Sequence, residues 1–317
     1  MLSWLNRRKA VVLMYHGFTD RPSDGLVNYQ GNRLRVESFR EQLAWLKKNR
    51  AVVPLRRVIE SLSGGAPLPD YATALTIDDG YESVYALGFP ALKEFETPAA
   101  LFVATQFVDE RVGLWPDRLE HAMAGLPGDD PAPKRERLVR LQARAKSLGP
   151  RDRDRFVEGV EDETGRRLTF QGGAPENYRP LDWEQVKTMS DSGLVEVGSH
   201  GHSHTIMTLL NEADAAAELS RSRHLVERAL GKPCDLFCYP NGGAGDFNAA
   251  TGRLLRAAGY KCGLTTVPGF VSPGDDPFTV MRFGTDDRDP FSKFKQTFGL
   301  GRAIGSRLKR AVLRRRA

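Results

Sequence analysis

The feature that most restricts this chain is an alternation of short apolar, β-branched runs with stretches of helical length. VVLMYHG (11–17), ALTIDDG (74–80), AALFVAT (99–105), LVEVGSH (194–200), DLFCYPNG (235–242), YKCGLTT (260–266) and TVMRFG (279–284) read as seven strands. Helices are expected over 36–50, where Phe39, Leu43 and Leu46 share a face behind a Glu37-Ser38 start, and over 82–95, which carries Pro90. Three more are expected over 181–193, opening on the capping-box spacing of Asp182 and Gln185, over 211–231, and around 247–258. Such alternation is the pattern of parallel α/β folds with right-handed crossovers, and runs that are apolar throughout suit strands buried on both faces.

An open doubly wound sheet and a closed barrel both satisfy this pattern. The polar residues favour the barrel. His16, Asp78, Asp79, His200, Asn241, Thr265, Thr266 and Arg282 fall at or just past the C-terminal ends of six strands, and a barrel gathers all those ends on one face. The expectation is therefore a distorted (β/α) barrel of about seven parallel strands. Residues 106–180 break the alternation, being charge-dense and helix-prone with Gly/Pro breakers near 125–133. They read as a helical insertion over one face of the barrel, not as a separate domain.

Composition sets the outer limits. With 317 residues, 40% hydrophobic and 27% charged, the chain has the profile of a soluble globular protein. No apolar run approaches the ~20 residues of a membrane-spanning helix. The run after Arg7-Arg8-Lys9 is too short for a secretory core, and three cysteines make a poor disulfide framework, so a cytoplasmic location is the expectation. Net charge is +6, yet the last sixteen residues (302–317) hold seven Arg or Lys and no acid. Without them the balance is 39 basic against 40 acidic residues, so the body is near neutral. In that tail Ile304, Leu308 and Val312 recur every four residues, a short apolar stripe among arginines that could lie on an anionic membrane face, touch nucleic acid or have no partner. Nucleic-acid binding is disfavoured by the neutral body and the lack of a recognition motif.

Two motifs carry chemistry. Asp78-Asp79-Gly80 ends a strand; as a plain Asp-Gly turn it would be ordinary, but adjacent carboxylates each make the other costlier to ionise unless a cation sits between them. In SHGHSH (199–204) three of the chain's six histidines fall within five residues. His200 and His204 are four apart, so a helical turn or a tight loop would put both imidazoles on one side, while Gly201 excludes the zincin pattern. Two histidines and one of the two aspartates form a facial triad with open positions, leaving the other aspartate as a general base. Trp115, Asp117 and Glu120, near the start of the insertion, could line a sugar cleft, though a core anchor is the plainer role for Trp115. Gly242-Gly243-Ala244-Gly245 fits no phosphate-loop template and reads as a turn.

LTIDDGY, GSHGHSH, FCYPNGG and the GLTT–PG run resemble, in order and approximate spacing, the motifs of the polysaccharide deacetylases, the NodB homology family or family-four carbohydrate esterases. The resemblance runs from about residue 10 to about 298. It implies a distorted barrel of about seven strands and metal-dependent removal of N- or O-acyl groups from glycans. Position by position it implies Asp78 as general base, Asp79, His200 and His204 as ligands of a divalent metal (zinc foremost), and a metal-acidified water as nucleophile. It also implies an oxyanion held by the metal and by a backbone N–H of the Tyr239–Gly242 loop. Gly201 departs from the Ser or Thr usual after the first metal histidine, so a bracing hydrogen bond is expected to be missing. Cys238 stands where many members carry an arginine that orients the base, and Arg282 is the candidate to supply that guanidinium. No histidine follows Leu264 as general acid; His16, His202, Asp78 itself or water must protonate the leaving amine. The expected substrate is an N-acylated amino sugar of an envelope glycan, or its lipid-linked precursor if the tail contacts membrane. The competing reading is a glycan-binding relative without turnover.

Overall fold

The computed structural model describes residues 8–299 apart from 23–24, 129, 171–172 and 174. The strands are β1 (Val11–Tyr15), β2 (Gly17–Thr19), β3 (Arg33–Arg35), β4 (Ala51–Val52), β5 (Ala72–Ile77), β6 (Ala99–Val103), β7 (Val195–Ser199) and β8 (Phe283–Gly284). The helices are α1 (Val36–Asn49), α2 (Leu55–Leu62), α3 (Phe89–Glu94), α4 (Thr105–Asp109), α5 (Trp115–Ala124) and α6 (Pro131–Lys146). They continue with α7 (Pro150–Thr164), α8 (Trp183–Asp191), α9 (Glu212–Leu230), α10 (Ala249–Ala257) and α11 (Phe291–Gln296).

The main sheet runs β7-β6-β5-β1-β8, every pair parallel. Single parallel bridges close it into a ring: Ser199 to Phe237, Cys238 to Leu264, and Leu264 to Val280, three residues before β8. Seven staves therefore surround one lumen, as the alternation of runs predicts. Two of the expected strands, 235–242 and 260–266, are reduced to those bridges. Pro240 offers no N–H to a ladder, and at Gly263 a Cβ would come 2.6 Å from the Tyr239 ring, so the staves pass too close and too briefly for regular pairing.

Period-two alternation sorts the side chains. In β1, β5 and β6, residues Val11, Leu13, Tyr15, Leu75, Ile77, Ala99, Leu101 and Val103 pack outward with the helices. Their neighbours Val12, Ala72, Ala74, Ala100 and Phe102 fill the lumen with Leu236, Cys238, Leu264 and Val280. Most lumen residues are small, as a narrow barrel requires.

Local signals behaved unevenly. Asp182 and Gln185 form the expected capping box on α8, and α9 is capped by Asn211 and closed by Gly231 at φ 65. The helix over 36–50 starts at Val36 behind Arg35, with no side-chain cap, rather than at Glu37-Ser38. The helix over 82–95 is divided: a π-helical turn (Val84–Gly88) gives way to α3 at Pro90, whose missing N–H permits the change of pitch. Missed altogether are the β2–β3 pair, β4 and α2. Within 106–180, α5–α7 gather a core of their own around Trp115, Leu119, Leu138 and Val157.

Candidate active site

Asp78 continues the lumen-facing series Ala74, Thr76, and its side chain stays inside the barrel. There it meets Arg282, which arrives from the last stave. The guanidinium grips both carboxylate oxygens, Nη1 to Oδ1 at 2.8 Å and Nη2 to Oδ2 at 2.7 Å. Its remaining donors reach the Thr265 carbonyl (2.8 Å), Thr76 Oγ1 (2.9 Å) and Cys238 Sγ (3.0 Å). Arg282 is 0% exposed and Asp78 1%. Burial alone would raise the Asp78 carboxyl, but the guanidinium outweighs it and holds the group below its ordinary value. Arg282 thus brings a guanidinium to Asp78 from another strand, with Cys238 in contact with both partners.

Asp79 should face the opposite way from Asp78 by strand parity. It does not, because it adopts φ 78, a left-handed conformation that a non-glycine residue takes at a cost of about 1 kcal/mol or more. The turn swings its carboxylate toward the histidine loop. Asp79 Oδ1 lies 3.3 Å from His200 Nε2 and 3.5 Å from His204 Nε2 and closes a hydrogen bond with neither. The ligand atoms of Asp79, His200 and His204 all lie within 4.8 Å of one another, and all three residues are buried. Two donors about 2.1 Å from a tetrahedral cation stand about 3.4 Å apart, so these separations fit a shared divalent ion. Burial works against the Asp79 charge, yet the imidazoles of His200 and His204 hold its carboxyl well below the ordinary range. Burial also opposes a charged His200, but Cys238 and Asp79 beside it keep that imidazole well above its usual value; burial lowers His204. A cation on this set would displace any proton that the imidazoles carry. A second grouping, Asp78, His200 and Cys238, is also close enough for an ion, but Arg282 occupies both Asp78 oxygens and burial raises the Cys238 thiol.

The histidines sit on a tight loop rather than a helical turn. Gly201 at φ 77 and His204 at φ 52 fold it back on itself. His200 Nδ1 bonds the Cys238 carbonyl at 2.8 Å, which leaves Nε2 for the cleft. Bracing expected to be lost at Gly201 comes from elsewhere. Ser199 Oγ accepts the Gly201 N–H (3.1 Å), and Glu218 on α9 accepts those of His202 (2.8 Å) and Ser203 (2.6 Å).

A cleft with about 270 Å³ of space opens above these groups, lined by His16, Asp78, Asp79, His200, His204, Tyr239, Asn241 and Thr266 among others. His16 and Asn241, both on this lining, each carry a buried, unpartnered nitrogen (Nδ1 and Nδ2). In the Tyr239–Gly242 loop, the Tyr239 N–H bonds Leu264 and that of Gly242 bonds Pro240, which leaves the Asn241 N–H for a ligand. The Tyr239 hydroxyl is spent on the Phe278 carbonyl, so Tyr239 serves as wall, not as donor. Thr265 is spent within the ring, while Thr266 fixes the Asn241 carbonyl. His202 is absent from this cleft: its Nδ1 meets Thr105 and its ring faces a different cavity.

The far wall belongs to the insertion and to β3. Arg33 is buried between the rings of Tyr81 (4.9 Å) and Tyr178 (5.0 Å) and bonds Asp117 at 2.9 Å. Tyr81 and Tyr178 in turn donate to Asp117 and Glu120. Asp117 and Glu120 line the cleft as expected, whereas Trp115 packs in the insertion core. Arg33 and Glu218 were not foreseen; nothing in their local sequence marks either one.

A lumen-anchored carboxylate, a metal-fitting triad and a polar cleft at one barrel mouth define a hydrolase of the NodB-like class. The family model described as polysaccharide deacetylase matches residues 65–263, and the chain belongs to that family. The poly-β-1,6-N-acetyl-D-glucosamine N-deacetylase of Escherichia coli (strain K12) is 29% identical over 191 residues, 60% of this chain and 20% of that protein. The chain thus spans about a fifth of the length of that curated relative. Among solved structures, the Streptococcus pyogenes deacetylase PplD in complex with acetate is similar at a TM-score of 0.64 and 17% identity, covering 93% of this chain and 100% of that one. IcaB from Ammonifex degensii is similar at 0.62 and 22%, covering 93% and 98%. The likeness to these two shows the fold.

Proposed function

We propose that the chain hydrolyses the N-acyl group, foremost N-acetyl, of an amino sugar in an envelope glycan, with a poly-β-1,6-N-acetylglucosamine type of polymer as the first substrate to try. The observation that carries this reading is the placement of the Arg282-held Asp78 carboxylate beside the Asp79–His200–His204 set at the mouth of one polar cleft. A divalent cation on that set, zinc foremost, would supply Lewis acidity and a more acidic water.

The chain's own residues account for the remaining steps. Arg282 keeps Asp78 unprotonated near neutral pH, so Asp78 can accept the proton of the attacking water. The free Asn241 N–H and the buried Asn241 Nδ2 are the donors available to the oxygen that gains charge as the amide carbonyl is attacked. The leaving nitrogen takes its proton back from Asp78, or from His16 across the cleft. His202 is set aside as acid because it faces away. The glycan-binding alternative drew on the missing arginine and the missing acid, and Arg282 meets the first objection. Residues 302–317, on which a lipid-linked substrate and membrane contact rest, lie outside the described residues and stay part of this proposal, as does a cytoplasmic site of action.

The test pairs acetate release from N-acetylglucosamine oligomers with metal content by elemental analysis. We expect near one equivalent of divalent metal in the wild type and in Asp78→Asn, and none in the His200→Ala/His204→Ala variant. Acetate release should fall at least about 10²-fold in Asp78→Asn. Full activity in that variant, or metal retained without both histidines, would overturn the assignment.

A further inference from the structure

Among the described residues, seven buried side-chain polar atoms have no hydrogen-bond partner, and they fall into two places. Four belong to His16, Asp79, His204 and Asn241, which line the cleft just described. The other three, Trp115 Nε1, Arg153 Nε and His202 Nε2, belong to residues lining a second cavity of about 160 Å³ behind the histidine loop. Leu114 is the residue common to both linings. Orphaned buried polar atoms are costly and uncommon in native proteins, and their confinement to two cavities says that each expects an occupant.

We propose that the second cavity binds a small carboxylate monoanion such as formate or acetate. An indole Nε1–H and a guanidinium Nε–H can only donate, so the occupant must accept. Arg153 has its Nη2 on Thr205 Oγ1 at 3.1 Å, and Asp154 lies 3.6 Å from its Nε, half-exposed and beyond hydrogen-bond reach. Arg118 is no competitor, being paired with both oxygens of Glu161. Burial pulls the Arg153 guanidinium below its ordinary value, and Asp154 beside it offsets that in part. A guanidinium met by one long, half-exposed ion pair leaves room for one negative charge, while Asp154 and Glu158 on the lining, and Glu110 at 3.6 Å from His202 Nε2, oppose a dianion. Phe107, Val112 and Leu114 give the apolar wall that a hydrogen or methyl substituent needs.

The position gives the site a consequence. Arg153 holds Thr205, the residue after His204, and His202 lies between the two histidines of the triad, so an occupant braces the loop from behind. Acetate released by deacetylation belongs to this ligand class; that link rests on the function proposed above, but the binding does not.

The experiment is a titration of the full chain with sodium acetate against sodium chloride at fixed pH and ionic strength, read at the Trp115 indole N–H by ¹H–¹⁵N NMR. The chain has four tryptophans, and Trp115→Phe assigns the resonance. A saturable shift of that indole is expected with acetate, with sulfate at least tenfold weaker. Arg153→Lys, which keeps the charge but loses the Nε–H, should weaken acetate at least tenfold. If that variant does not fold, calorimetry on Trp115→Phe decides, with the same loss expected. An unshifted indole, equal affinity for sulfate, or unchanged affinity in the folded variant overturns the site. None of these readings uses catalysis, so failure of the deacetylase assignment would show separately, in the acetate-release assay.

Discussion

Replacing Arg282 with methionine is the sharpest perturbation the structure offers. The side chain is 0% exposed and makes charge-assisted bonds to both Asp78 oxygens, besides those to Thr76, Thr265 and Cys238. Methionine approximates its volume but leaves a buried carboxylate with no cation, a loss of about 3–5 kcal/mol. For a chain of this size that corresponds to a fall in Tm on the order of 10 °C. Asp78→Asn alone should also destabilise, since it leaves the guanidinium unpaired. Asp78→Asn/Arg282→Met removes both charges and should cost less than the sum of the single variants by about 2 kcal/mol or more. Arg282→Lys keeps the charge but cannot fork onto two oxygens, so Asp78 loses its orientation and kcat should drop by about 10²-fold with a smaller loss of stability. The assay is a double-mutant cycle by urea denaturation at fixed metal concentration, alongside acetate release. If the cycle is additive within about 0.5 kcal/mol, or Arg282→Met costs under about 1 kcal/mol, the pair does not anchor the site and the reasoning fails.

Other consequences can be checked with similar means. Glu218→Ala removes the acceptor for the His202 and Ser203 N–H groups, so it should weaken metal retention under dialysis against a chelator and cost about 1.5–3 kcal/mol; unchanged retention would mean the loop stands alone. Asp235 is raised by burial but held below its ordinary value by Arg56 and Lys261, bonded at 2.8–2.9 Å. Its folded pKa is therefore depressed, so its contribution to stability is full above the ordinary carboxylate range and is lost as pH falls through the lowered value. Asp235→Asn should consequently destabilise at pH 7 and converge on the wild type in acid, and a pH-independent gap in denaturation midpoints would contradict this. Deleting residues 302–317 should abolish co-sedimentation with anionic lipid vesicles at low salt, and equal binding by the truncated chain would dispose of the membrane reading.

How much of this was legible beforehand follows from where each signal resides. The staves paired as continuous strands announce themselves, because β1, β5 and β6 are buried on both faces and, apart from Thr73 and Thr76, are apolar. Phe237, Leu264 and Val280 close the ring through single bridges, so their sequences promise strands longer than those that form. The Asp78-Asp79 pair was visible as a site, but strand parity alone would send the two carboxylates to opposite faces. The positive φ at Asp79 goes with their meeting in one cavity, and no residue type in the run Asp78-Asp79-Gly80 announces it. Arg33 and Glu218 reach the site from other elements, Arg33 meeting Asp117 across 84 residues, and no local pattern encodes such a meeting.

Arg282 is the instructive middle case. A single charge inside the run TVMRFG cannot be buried alone, because the lumen cannot solvate it. The strand that carries it therefore demands a buried carboxylate at the same level of the barrel. Among the strand-end residues seen in sequence, only Asp78 and Asp79 are acids, so the demand itself narrowed the partner to two. Parity then selects between them: Asp78 shares the lumen face with Thr76, which the same guanidinium also holds, while Asp79 is turned away to the histidines. The separation of base from metal ligand is thus a consequence of the β pleat plus one left-handed residue, and a glycine at position 79 would preserve the turn while deleting the ligand.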